Sequence, residues 1–302
     1  MWWREIRFRD ACADNRRQKR KWPCNVAPGP RRPPSRYWWR PTTDDGRRPD
    51  SAQVSGQVEP PAAPTTPVDL TSFSEGGVAV VFGASGGIGG ALVEALLASR
   101  QFAHVVALSR STTPAIDLLD EASLERATKF AAEQGELRLV INATGFLHDD
   151  RQSPEKTWRQ IDAGNLARAF ALNAIGPALI MKHVLPLLPR SGKAVFATLS
   201  ARVGSIGDNR LGGWYAYRAS KAALNQLVRT SAVELARRSP AAICVALHPG
   251  TVATALSAPF EAAGLEVHTA EYAGLHLLAV IEKLTAQDNG GFFDWRGQPV
   301  PW

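Results

Sequence analysis

Cysteine is scarce in this chain of 302 residues. Cys12, Cys24 and Cys244 are an odd number with neither metal nor redox spacing, which argues against a disulfide framework. Unpaired thiols fit a reducing compartment. His148 and His183 stand singly, without partners at metal-ligand spacing, so no metal is expected. No stretch approaches the roughly 18 uncharged apolar residues of a membrane span, and no membrane partner is expected. The N-terminus lacks the apolar core of a secretory signal, and Glu5, Asp10, Asp14, Asp44 and Asp45 are too many acids for a transit peptide. A cytoplasmic location follows, with organelle import through the N-terminal extension left open. No internal repeat is visible.

Proline and positive charge are crowded into residues 1–75, which hold 11 of the 21 prolines and 14 of the 35 Lys and Arg. The basic balance therefore belongs mostly to that segment and is poor evidence that the remainder binds nucleic acid. Runs such as Pro28-Gly29-Pro30-Arg31-Arg32-Pro33-Pro34 and Pro60-Pro61-Ala62-Ala63-Pro64 cannot make regular ladders, and a disordered extension is expected. Three readings fit it: a disordered arm, a poor organelle address, or translation from upstream of the true start, which the composition favours.

From residue 76 the pattern changes to short β-branched runs alternating with longer helical ones. Strands are expected at Val78–Phe82, Val105–Ser109, Leu137–Asn142, Ala194–Leu199, Ile243–Leu247 and near Gly291–Asp294. Helices are expected at Ile88–Ser99, Ser123–Glu133, Ala163–Leu188, Tyr215–Arg238 and Ala270–Leu284. Apolar strands with little alternation are buried on both faces. The fold class is therefore α/β, a doubly wound parallel sheet of Rossmann type forming a single domain over residues 76–302.

Two patterns carry chemistry. The first strand runs into Gly83-Ala84-Ser85-Gly86-Gly87-Ile88-Gly89-Gly90 and then a helix, the context in which free N–H groups meet a pyrophosphate. About 20 residues on, where a carboxylate for a ribose hydroxyl is usual, the chain has Ser109-Arg110-Ser111. Arg110 can pair with a 2′-phosphate, which favours NADP over NAD. Further along, Tyr217 and Lys221 stand four apart on an expected helix, hence on one face. A cation beside a phenol favours the phenolate and lowers its pKa from about 10.

With the glycine turn and the Tyr/Lys pair in order, the chain resembles the short-chain dehydrogenase/reductase family over residues 76–302. Gly83-x3-Gly87-x-Gly89 matches the family's cofactor loop, with Phe82 where threonine is common. The resemblance implies cofactor contacts at Gly83, Ser85, Gly87, Ile88, Gly89, Arg110, Asp117, Leu118, Asn142, Gly145, Pro249, Gly250, Val252 and Thr254, together with Tyr217 and Lys221. Asp117-Leu118 resembles the pair that meets the adenine. Pro249-Gly250-Thr251-Val252-Ala253-Thr254 resembles the segment that holds the nicotinamide amide. Gly204–Asn209 and the ending Phe293–Gly297 resemble the C-factor and sniffer-type carbonyl reductase branch.

The resemblance also implies a catalytic group of Tyr217, Lys221, Asn173 and a serine. The serine is open: Ser200 ends the expected strand Ala194–Leu199 and is preferred, Ser205 lies closer to the tyrosine, and matching on Gly204 would place Ala201 in the slot. The implied function is NADP(H)-dependent interconversion of a small-molecule carbonyl and alcohol. Tyr217 would act as general acid/base, Lys221 would assist it and hold the ribose, and Asn173 would anchor a relay water. A weakly catalytic NADP(H)-binding sensor is the alternative. Trp214 is the aromatic expected to touch substrate, and Ala255–Val267 the expected lid, whose apolar residues suggest an apolar substrate. The two long helices resemble those through which the family forms homodimers or homotetramers.

Overall fold

The computed structural model describes residues 68–257 and 266–302. The expectations for residues 1–67, including Cys12 and Cys24, and for Ala258, Pro259, Phe260 and Leu265 of the lid lie outside the described residues.

Six parallel strands form one sheet in the order β2-β1-β3-β4-β5-β8. They are β1 (Val78–Phe82), β2 (His104–Leu108), β3 (Leu137–Asn142), β4 (Ala194–Leu199), β5 (Ala242–His248) and β8 (Phe292–Asp294). Between them run α1 (Gly87–Ser99), α2 (Glu121–Glu133), α3 (Ala163–Phe170), α4 (Gly176–Val184), α5 (Tyr215–Arg238) and α6 (Ala270–Lys283). Every residue of β1, β3 and β4 is buried. Alternation divides them between two cores: Val78, Val80 and Phe82 pack with α2, α4 and α5, while Ala79 and Val81 pack with α1 and α6. This is why the strands read as continuous apolar runs. The chain passes from β1 to β2 on one side and resumes at β3 on the other. The carboxyl ends of β1 and β3 therefore flank the crevice where open sheets bind ligands.

Two details depart from the expected elements. The run expected as Ala163–Leu188 is helical without a break to Leu187 but not α-helical throughout: a π-helical turn, Ala171–Ile175, lies between α3 and α4, and a 3-10 turn follows at Leu185–Leu187. Pro177 in the first turn of α4 has no N–H for the carbonyl four residues back, so the ladder is already open at Asn173. By length and composition Ala163–Leu187 is also apolar enough to cross a membrane, which corrects the expectation that no stretch is. In the fold this run packs against α2 and α5 and buries Ala169, Ile180, Met181 and Val184, and core helices pass the same test. The second detail is a pair of two-residue strands, β6 (Thr251–Val252) and β7 (Val267–His268), which join in parallel.

Candidate functional site

The glycine turn is compact because nothing larger fits. Gly83 has φ +87, and a Cβ there would lie 3.0 Å from the Ala143 carbonyl carbon. A Cβ on Gly89 would fall 2.1 Å from the Gly83 oxygen. The Gly83 and Ala84 amides donate to Leu108 O at 2.8 and 3.1 Å, tying the turn to the end of β2. Gly86 caps α1 without a side chain, no acid lies in the first turn, and Ser85, Gly86 and Gly87 are exposed. Outward-facing amides at a helix N-terminus beside a cradle closed to side chains fit a phosphate-bearing cofactor. Arg110 is exposed two residues beyond Leu108 and has no hydrogen bond or ion pair among the described residues. Asp117 is partly engaged, since its Oδ1 accepts the Leu119 amide at 2.9 Å, and Leu118 packs against Gly176 of α4.

A second cluster hangs from the end of β3. Asn142 is fully buried, and its amide bridges Thr198 of β4 (3.0 Å) and Thr144 (2.7 Å to the hydroxyl). That bracing fixes the loop bearing Gly145, whose added Cβ would lie 3.8 Å from Lys221 Nζ and 4.0 Å from Asn173 Oδ1. Asn173, in the π-helical turn, accepts the Phe146 amide and donates to the Phe146 carbonyl, both at 2.8 Å, and donates to Ser220 Oγ at 3.1 Å. The expected Asn173, Gly145 and Lys221 are thus neighbours. The Asn173 side chain braces the Phe146 loop to α5 rather than offering an open amide.

Tyr217, Lys221 and Asn225 form an i, i+4, i+8 stripe on α5. Lys221 is buried and donates to Leu199 O at 2.8 Å, with Nζ 5.9 Å from the Tyr217 ring centroid. Desolvation pushes the Tyr217 phenol up to about 12, the reverse of the expected lowering. Burial pushes Lys221 down to about 8. Ser200 donates to Asn225 Oδ1 at 2.6 Å. Asn225 lies eight residues beyond Tyr217, about 12 Å along the helix. The hydroxyl preferred from the sequence is therefore engaged in the β4–α5 interface. Ser205 is buried, and its Oγ accepts the Asp208 amide. Among the described residues neither serine bonds to Tyr217.

A cavity of about 680 Å³ joins these parts: Ile88 from the glycine turn, Ser200, Ala201, Trp214, Tyr217, Gly250 and Thr254 all line it. Gly250 has φ +82, and a Cβ there would lie 3.0 Å from both His268 and Trp295. A Cβ on Gly87 would lie 2.9 Å from Thr254 Cγ2, so the Pro249–Thr254 segment closes on the glycine turn. Sequence reasoning missed His248, which also lines the cavity and whose Nδ1 has no hydrogen-bond partner among the described residues. Burial, reinforced by Arg202 and opposed by Asp294, pushes this imidazole down to about 4, so it is neutral near pH 7. It also missed Glu155, a buried acid far from the motifs in sequence.

Residues 77–263 match the family profile described as short chain dehydrogenase. The chain belongs to the short-chain dehydrogenase family. As such it is an NAD(P)-dependent oxidoreductase with the Rossmann-like fold. This dehydrogenase is 37% identical over 142 residues to the C-signal of Myxococcus xanthus, covering 47% of this chain and 81% of the relative. Among solved structures, the NADPH-bound carbonyl reductase from chicken fatty liver has a TM-score of 0.65 and 28% identity, covering 74% of this chain and 98% of that one. The carbonyl reductase Sniffer of D. melanogaster has a TM-score of 0.65 over 76% of this chain and all of its own, and at 24% identity it shows the shared fold. Within the family the dehydrogenase sides with this C-signal and Sniffer-type branch.

Proposed function

We propose that this dehydrogenase reduces a carbonyl compound with NADPH, or oxidises the corresponding alcohol with NADP. One observation carries the reading: Tyr217 and Ile88 of the glycine turn line one cavity, so a proton donor faces the space beside the dinucleotide cradle. Bound NADPH would supply the hydride. The glycine turn would hold the pyrophosphate through the first amides of α1, and Arg110 the 2′-phosphate. Gly250 and Thr254 would border the nicotinamide.

Tyr217 Oη gives its proton to the carbonyl oxygen. A phenol pushed up to about 12 stays protonated near neutral pH, as reduction requires. The Lys221 ammonium lowers the cost of the phenolate left behind, and Asn173 keeps Lys221 and the Phe146 loop in register. With the Ser200 hydroxyl committed to Asn225, Tyr217 carries the proton chemistry and Ser200 braces the strand end. The apolar wall formed by Leu147, Val203, Leu211 and Trp214 suits a largely apolar substrate. A homodimer or homotetramer would form through the long helices, where Ile175 and Val233 are exposed.

The test is NADPH consumption with a panel of aldehydes, ketones and quinones. Turnover supports the reading. NADPH binding without turnover across the panel supports a sensor instead. Two further outcomes follow. Lys221 is cationic below about pH 8 and neutral above it, so kcat/KM for reduction should be flat below that point and fall about tenfold per pH unit above it. A profile flat through pH 8 would remove the ammonium from the mechanism. Arg110→Ala should raise KM for NADPH about tenfold or more, the worth of a charge-assisted contact, and leave KM for NADH unchanged. Equal effects on both coenzymes would deny the 2′-phosphate contact.

A further inference from the structure

Helix α5, which carries Tyr217 and Lys221, begins on a residue that cannot cap it. Trp214 occupies the N-cap in left-handed backbone (φ 53, ψ 43) and contributes no side-chain acceptor. Gly212 and Gly213 precede it at φ +64 and +68, making three left-handed residues in succession. Glycine adopts this backbone readily, but a bulky side chain holds it only where the surroundings impose it.

The surroundings are supplied by Glu155, from the long connection after β3. Its main-chain carbonyl accepts the Trp214 amide at 2.5 Å, and its Oε2 accepts the Ala216 amide at 3.1 Å. One residue thus grips the two amides on either side of Tyr215. Glu155 is 3% exposed, and its Oε1 has no hydrogen bond among the described residues. A carboxylate so deeply placed is costly to keep unless its position serves something, and a helix N-terminus is the backbone feature that best receives a negative charge. Arg218 secures the other side of the turn, donating from its amide to Trp214 O at 2.8 Å and from Nε to Gly213 O at 3.0 Å. The result is an indole edge-on to the Tyr217 ring, with centroids 6.1 Å apart, both rings lining the 680 Å³ cavity.

We propose that Glu155 is a positioning residue that clamps Trp214 in its left-handed backbone, so that the indole forms the wall of the substrate cavity beside Tyr217. The catalytic half of this inference rests on the carbonyl-reductase reading; the clamp itself does not. Trp214 is then the specificity-determining contact for a flat, apolar carbonyl compound. Glu155 sets its direction without touching substrate.

The test uses the full chain with Glu155→Ala, Glu155→Gln, Trp214→Ala and the Glu155→Ala/Trp214→Ala pair. Hydrogen exchange read by mass spectrometry over Gly212–Tyr217 should quicken about tenfold or more in Glu155→Ala as the clamped amides open. It should stay near the unsubstituted rate in Glu155→Gln, whose amide oxygen still accepts from Ala216. With benzaldehyde as probe, Glu155→Ala and Trp214→Ala should each raise KM about tenfold while kcat changes less, with NADPH affinity unaltered. The double variant should be no worse than Trp214→Ala alone, because the clamp then has nothing to aim. Unchanged exchange in Glu155→Ala, or losses that add in the double variant, would overturn the proposal. Absence of turnover in the unsubstituted protein would count against carbonyl reduction instead, and exchange would still decide for or against the clamp.

Discussion

Tyr217→Phe is expected to lower carbonyl turnover by about 10²–10⁴-fold, the usual contribution of a positioned proton donor. It should leave NADPH affinity within about twofold, since the ring remains and only Oη is removed. The phenol is the ionisable hydroxyl on the cavity wall, and Ser200, which also lines that wall, has its hydroxyl bonded to Asn225. His248 also lines that wall, and as an imidazole that is neutral near pH 7 it is a poor proton donor there. The loss is read as kcat against the coenzyme dissociation constant. Full activity would remove Tyr217 from the mechanism. A parallel loss of NADPH binding would make it a structural ring.

Gly89→Ala is expected to be almost as damaging by a different route. The added methyl would sit 2.1 Å from the Gly83 oxygen and 2.8 Å from its carbonyl carbon, far inside contact distance, and those atoms are backbone held to β2 by the Gly83 and Ala84 amides. Neither side can yield without opening the turn. Overpacking of this kind costs about 1–3 kcal/mol of stability. Displacing the first amides of α1 should weaken NADPH by about 10²-fold, or roughly 3 kcal/mol. Denaturation midpoint and coenzyme titration read the two effects separately. An alanine variant that binds NADPH normally would mean that the turn is not the cradle.

The sheet and its helices were legible because burial on both faces writes itself as unbroken apolar runs. β1, β3, β4 and α5 fall at the expected residues. The glycine turn was legible because its residues are dictated locally, by the space around Gly83 and Gly89. What failed to show was decided by contacts between distant segments. The π-helical turn at Asn173 answers to Phe146, and although Pro177 marked the weak point, nothing nearby named the partner. Strands β6 and β7 are two residues each, too short to leave a period. Glu155 meets α5 across 61 residues. The fate of Ser200 could have been read: strand side chains alternate, so Phe196, Thr198 and Ser200 share the face that packs on α5. The upward push on the Tyr217 phenol was not readable, because spacing shows that a lysine is near but not how far the fold desolvates the phenol.

The proposed reaction moves a hydride to a carbonyl carbon beside Tyr217. It is tested most directly by incubating the full chain with NADPH deuterated at nicotinamide C4 and a reactive aldehyde, then locating the label. Carbonyl reduction places one deuterium on the carbinol carbon of the alcohol, with label transfer largely lost in Tyr217→Phe. Coenzyme bound in a stable complex with no label in any product would contradict it.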